Sequence, residues 1–211
     1  MGAKEKRLGQ ILDKYYVRSN SKVDIKDILN SNYQSEILDV YTQLDGVREN
    51  YNFRGKWDFV FKDFILELDE EAHFNRYRAL TLTSSLYDEI SYFPINKYKD
   101  FCKTYEDKCL KKGYGKYWAS TSTEKMFGPS DLPKSFVRYG SSRWKQRAFY
   151  DYVKDVSYLY TGIPVVRLSI YDQFQINGKE LSLEQLLVKN NLSDEYIFTQ
   201  LTSLIAERKP L

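Results

Sequence analysis

The chain has 211 residues, 42% of them hydrophobic and 29% charged, with 19 tyrosines and a net charge of +3. This composition can bury one sizeable core and is too aromatic for a disordered chain. No apolar run nears the ~20 residues of a membrane span. The basic start MGAKEKRLGQ is followed by no signal-peptide segment and lacks the Ser or Thr of a myristoylation signal, and two cysteines make no disulfide framework. The expectation is a soluble, cytoplasmic protein.

In chain order, residues 4–17 read as a first helix, with Leu8, Ile11, Leu12 and Tyr15 at helical spacing. VDIKDIL is a short helix. SEILDVYTQLDGV, from Ser35, is a longer one striped by Ile37, Leu38, Tyr41 and Leu44. Asn-Phe-Arg-Gly, 52–55, breaks the pattern. WDFVF and FILELD follow as two short strands, with Lys62 and Asp63 as the turn of a hairpin. Residues 71–92 read as helix and 97–112 as a second, basic helix. The segment 113–135 is rich in Gly, Pro, Ser and Thr and reads as irregular. A helix over 143–161 is stopped by Gly162, and IPVVRLSIY is a buried strand. SLEQLL opens with a capping box, Ser182 with Gln185, and a final amphipathic helix starts near Ser193. There is no internal repeat, and the order is that of an α/β protein.

Charge is unevenly distributed. From Lys97 to Arg147 there are thirteen Lys or Arg against five Asp or Glu, a net +8; with +3 overall, the remainder carries −5. Such asymmetry points to a polyanion-facing segment.

ILELDEEAH, residues 65–73, concentrates four carboxylates and the chain's one histidine. Strand alternation puts Ile65, Glu67 and Asp69 on one face and Phe64, Leu66 and Leu68 on the other. Asp58 lies on the neighbouring strand. Three carboxylates can therefore converge at one end of a sheet. They repel one another unless a hard divalent cation bridges them. Such an ion polarises a phosphoryl oxygen and activates water, as phosphodiester hydrolysis requires. Solvated acids opening the next helix at its positive end would give the same letters.

The spacing Asp58-Phe59, then Glu67-x-Asp69-x-x-x-His73, resembles the PD-(D/E)XK nuclease superfamily, within it the branch like the very-short-patch-repair endonuclease. A second block, Asp151, Lys154, Asp155, Gly162, Val165 and Arg167, is similar to that branch in order and spacing, as is the upstream helix at Glu36. The resemblance covers roughly 35–74 and 148–170. It departs from the pattern at Glu70, where the family has Gly, and at Lys154, where it has Arg. Asp69 occupies the place of the superfamily's usual Lys.

The resemblance implies a restriction-endonuclease-like α/β core, a mixed central sheet flanked by helices. The chain is then one nuclease-like domain, 1–211, with a basic inserted subdomain at 75–147. It further implies a Mg²⁺-dependent DNA endonuclease of restriction, defence or repair type, with Mn²⁺ as a substitute ion. Asp58, Glu67 and Asp69 would hold the metal. His73 would orient or deprotonate the attacking water, Lys154 would join the catalytic set, and Glu36 and Asp155 would form an outer layer.

The insertion interleaves cations with rings. Lys111, Lys112, Lys116, Arg138, Arg143, Lys145 and Arg147 are the expected phosphate contacts, and Trp118 and Trp144 the expected base-stacking groups. The expected partner is duplex DNA, with no membrane and with a homodimer or larger defence complex in view. Cys102 and Cys109, two helical turns apart, read as core thiols. Two rivals remain: a nucleic-acid-binding module of this fold without cleavage, and a protein-interaction domain.

Overall fold

The computed structural model describes residues 2–20, 23, 25–51, 53, 55–188 and 192–210. Its helices are α1 (Ala3–Leu12), α2 (Gln34–Gln43), α3 (Arg76–Thr81), α4 (Ile95–Lys111), α5 (Thr121–Phe127), α6 (Ser142–Thr161), α7 (Leu183–Val188) and α8 (Asp194–Glu207). Its strands are β1 (Phe59–Val60), β2 (Ile65–Asp69), β3 (Val165–Ser169), β4 (Gln173–Ile176) and β5 (Lys179–Ser182). Asp24 of the expected first short helix, and Asn52 and Arg54 of the expected break, lie outside the described residues. Among those described, no helix is long and apolar enough to cross a membrane. The fold is mixed α/β, in two compact units.

The first unit comprises Met1–Val23, Lys56–Glu70 and Ile163–Leu211. Its sheet runs β1-β2-β3, with β1 antiparallel and β3 parallel to the central β2. Every residue of β2 and β3 is buried. Strands covered on both faces usually read as unbroken apolar runs, and β3 comes close with VVRLS. β2 does not, because ILELD takes two carboxylates inside. At the expected turn, the Phe61 N–H donates to the Phe64 carbonyl at 2.9 Å, and Tyr16, Phe61 and Phe64 form a ring cluster. The first helix ends at Leu12, earlier than its apolar spacing suggests. A hairpin, β4-β5, was not expected. Its turn is Asn177-Gly178, both at positive φ, the two-residue pairing that matches strand twist. The Ser182–Gln185 capping box forms as expected, and Ser193 caps α8.

One buried ion pair ties this unit together. Arg208 donates from both terminal nitrogens to Asp172, each at 2.7 Å, and from Nη1 to the Arg167 carbonyl at 2.6 Å. Burial of a charge is tolerated only with such pairing.

The second unit comprises Asp24–Gly55 and Glu71–Gly162. It is helical, and the segment 75–147 is wholly inside it. The 20-residue α6 is buried at thirteen positions, including Trp144, Phe149, Tyr152, Val153 and Val156. Gly162 ends it in the left-handed region, φ 70°, as expected. The helix expected over 71–92 is instead three short pieces. The Asn75 side chain accepts from the Tyr77 and Arg78 N–H groups, and Ser84 accepts from Leu86. Both offer the backbone a cap in place of a continuing ladder. Within the stretch read as irregular, Ser120 and Thr123 form a capping box that starts α5. Arg78 and Asp155 pair at 2.5 Å, both inaccessible, and the Tyr87 hydroxyl donates to the same carboxylate at 2.6 Å.

Arg208→Ala leaves Asp172 buried and without its bidentate partner, which is expected to cost about 3–5 kcal/mol. The loss is read as a lower urea midpoint with an unchanged slope; an unchanged midpoint would show that the pair does not hold the unit.

Candidate functional site

In the first unit, the pairing of Phe59 with Leu66 sets Asp58 opposite Glu67 on one side of the sheet. The two are bound reciprocally. The Asp58 N–H donates to Glu67 Oε1 at 3.0 Å, and the Leu68 N–H donates to Asp58 Oδ2 at 2.9 Å. Asp69 projects to the same side two residues on. Glu67 and Asp69 are buried, and Asp58 is half-buried.

A cation shares this face. Arg167 is in register with Glu67 across the parallel β2–β3 pair, and its Nη1 donates to Asp69 Oδ1 at 2.6 Å, with both side chains inaccessible. In sequence, Arg167 stood out only as the end of a motif. An arginine within a buried strand was the available signal, since an inward guanidinium requires an anion. Part of the carboxylate repulsion is therefore relieved by protein groups: a guanidinium on Asp69 and backbone amides on Asp58 and Glu67.

In the second unit, His73 Nδ1 lies 2.7 Å from Asp151 Oδ2, and Arg147 Nη1 lies 3.1 Å from His73 Nε2. Ionised carboxylates only accept and guanidinium groups only donate. The two contacts suit the tautomer that carries its proton on Nδ1, with Nε2 accepting from Arg147. Asp151 belonged to the second sequence block but was not among the expected site residues. One turn separates it from Lys154 and Asp155 on α6, which was the signal for it. Arg147, expected on a phosphate, is on the imidazole instead.

Other expected site residues are dispersed in this unit. Asp155 is committed to Arg78 and Tyr87. Lys154 is buried, its Cε close to Gly55. Glu36 is half-buried on the first turn of α2, where a 2.8 Å bond from the Ser35 hydroxyl lowers its pKa.

The expected DNA-facing set divides in two. Lys111, Lys112, Lys116 and Arg138 are exposed. Trp118 and Trp144 are not available for stacking. Each is 1% exposed, and they pack edge to face at 4.9 Å beside Cys109. Lys145 is also buried, its Nζ 2.7 Å from Asp45. Arg143 is half-buried and bonded to Gln146, and burial, then Arg147, pushes its pKa down. Among the described residues of this unit, the exposed rings include Tyr114 and Tyr117, either side of Lys116, and Tyr160 on α6.

A family model covers residues 39–189, most of the chain. The chain belongs to a family of unknown function, DUF7255. No curated protein and no solved structure matches it. The region characteristic of DUF7255 takes in Asp58, Glu67, Asp69, His73, Asp151 and Arg167, and leaves Glu36, α1 and α8 outside.

Because His73 is the chain's one histidine, its ring nitrogens can be read without ambiguity. ¹⁵N NMR at neutral pH is expected to show a protonated Nδ1 and an unprotonated Nε2. Asp151→Ala should shift the population toward the Nε2–H form. An Nε2–H tautomer in the native chain would contradict the described pairing.

Proposed function

We propose that this member of DUF7255 is a Mg²⁺-dependent endonuclease acting on duplex DNA. The observation that carries the reading is the carboxylate side of β2, where Asp58 and Glu67 face each other across the strands and Asp69 follows on the same side. Oxygen donors of this kind fit a hard divalent ion, and buried carboxylates are characteristically paired or metal-bound. Asp58, Glu67 and Asp69 are the residues assigned to hold it. When bound, the ion would supply charge stabilisation at a phosphoryl oxygen and lower the pKa of water. The mixed β1-β2-β3 order supports reading the sheet as a restriction-endonuclease-like core.

His73 is assigned the proton. Asp151 holds its Nδ1–H, so the basic atom is Nε2, and an Nδ1–H imidazole can accept a proton there while keeping Asp151 on Nδ1. Arg147 masks that lone pair with a donated hydrogen bond. A phosphate oxygen that took the Arg147 guanidinium would leave Nε2 open to accept a proton. Asp155, expected in the outer layer, accepts from Arg78 and Tyr87.

Glu67→Gln keeps shape and removes charge. It is expected to abolish Mg²⁺-dependent cutting of supercoiled plasmid while binding is kept or tightened; normal cutting would overturn the assignment. His73→Ala should slow cleavage by ~10²–10⁴ with little change in DNA affinity. A loss below about tenfold, in a folded protein, would remove His73 from the mechanism.

A further inference from the structure

The two most exposed large hydrophobic side chains among the described residues are Val137, at 91%, and Leu132, at 82%. They lie five positions apart in one loop. Single exposed aliphatics are ordinary on a protein surface, but two at the tip of a rigid element are not.

The loop is held from within. Asp131 Oδ2 accepts from three successive amides, Arg138, Tyr139 and Gly140, at 2.9, 3.0 and 2.8 Å. The Asp131 N–H donates back to the Gly140 carbonyl at 2.8 Å, closing the ends. The amide donations hold the Asp131 carboxyl below the usual range. The Asp131 carbonyl in turn accepts from the buried Trp118 indole at 2.8 Å. Phe136 turns inward against Tyr77, Trp118 and Trp144, and the Arg76 guanidinium covers it at 4.0 Å. Gly140 sits at φ 67°, where a Cβ would strike the Tyr77 hydroxyl. The base is therefore fixed while Leu132 and Val137 point outward, with exposed Lys134 and Arg138 on the same loop.

We propose that the loop 131–140 is a preformed wedge for nucleic-acid duplex: Leu132 and Val137 enter between base steps while Lys134 and Arg138 sit on flanking phosphates. The inference rests on the DNA reading above and deepens it. The partner follows from charge and shape. The tip's formal charges are cationic apart from Asp131, whose carboxylate is turned onto the loop's own amides. Within Lys97 to Arg147, eight of the thirteen Lys or Arg are exposed, Lys134 and Arg138 among them. Aliphatic wedges with basic flanks unstack and kink a duplex, and a rigid loop avoids the ordering cost of doing so.

The test uses the full chain and a 20-base-pair duplex carrying 2-aminopurine, read by anisotropy for binding and by fluorescence for unstacking. The native protein is expected to bind and to raise the fluorescence. Leu132→Ser with Val137→Ser removes only exposed groups. It should abolish the rise and weaken binding by at least about tenfold, with an unchanged salt slope. Lys134→Glu with Arg138→Glu should instead lower that slope by about 0.9 for each phosphate no longer neutralised. Binding without a fluorescence rise, or an unchanged Leu132/Val137 variant, overturns the wedge and leaves the nuclease reading intact. Absence of any duplex binding by the native chain overturns both. Stronger, Leu132- and Val137-dependent binding to phosphatidylserine–phosphatidylcholine vesicles than to duplex would reassign the loop to a membrane surface.

Discussion

A carboxylate taken out of water must find a partner, and β2 takes two of them. The sheet is organised around that requirement. Glu67 accepts from the Asp58 amide and Asp58 from the Leu68 amide, so β1 and β2 are joined through side chains as well as through the ladder. Asp69 is answered by Arg167 from β3. The chain of dependence continues, because the Arg167 carbonyl and Asp172 are both held by Arg208 at the end of α8. A structure needing only stability could have used apolar residues at these positions, since replacing buried ion pairs with well-packed hydrophobic groups is often neutral or favourable. Retention of Asp58, Glu67 and Asp69 on one face is the feature that a metal-dependent hydrolase would explain.

The helical unit uses its charges differently. The Arg78–Asp155 pair joins α3 to α6, the Lys145–Asp45 pair joins α6 to the turn after α2, and Asp131 organises a surface loop through backbone amides. His73 stands between an acceptor and a donor, which favours one tautomer. A net charge of +8 over Lys97 to Arg147 thus overstates the surface: Lys145 is buried, and the exposed cations are Lys103, Lys108, Lys111, Lys112, Lys116, Lys125, Lys134 and Arg138.

Local patterns were legible in the sequence and distant pairings were not. Alternation over WDFVF and FILELD is enough to oppose Asp58 and Glu67, because strand period and a short turn leave one register. Gly162 and Ser193 marked helix ends for the same local reason. Asn177-Gly178 announced a hairpin as clearly; QFQI before it alternates polar with apolar residues, whereas KELS after it is mostly polar and does not. The breaks at Asn75 and Ser84 turn on capping bonds that compete with an otherwise continuous helical pattern. Arg167 finds Asp69 98 residues away, and Lys145 finds Asp45 at a separation of 100, so no window on the sequence shows either pair. The burial of Trp118 and Trp144 was obscured by their cationic neighbours. Only the periodicity of α6, which puts Trp144 on the same side as Ala148 and Asp151, argued for the core.

The central claim is that the carboxylate side of β2 takes a divalent cation. Electron paramagnetic resonance of Mn²⁺ titrated into the full chain, without DNA, tests it most directly. The account expects bound, spectroscopically silenced Mn²⁺ in the native protein, competition by Mg²⁺, and loss of that binding in a folded Asp58→Asn variant. Equal binding by the native chain and the variant, or none by either, would contradict it.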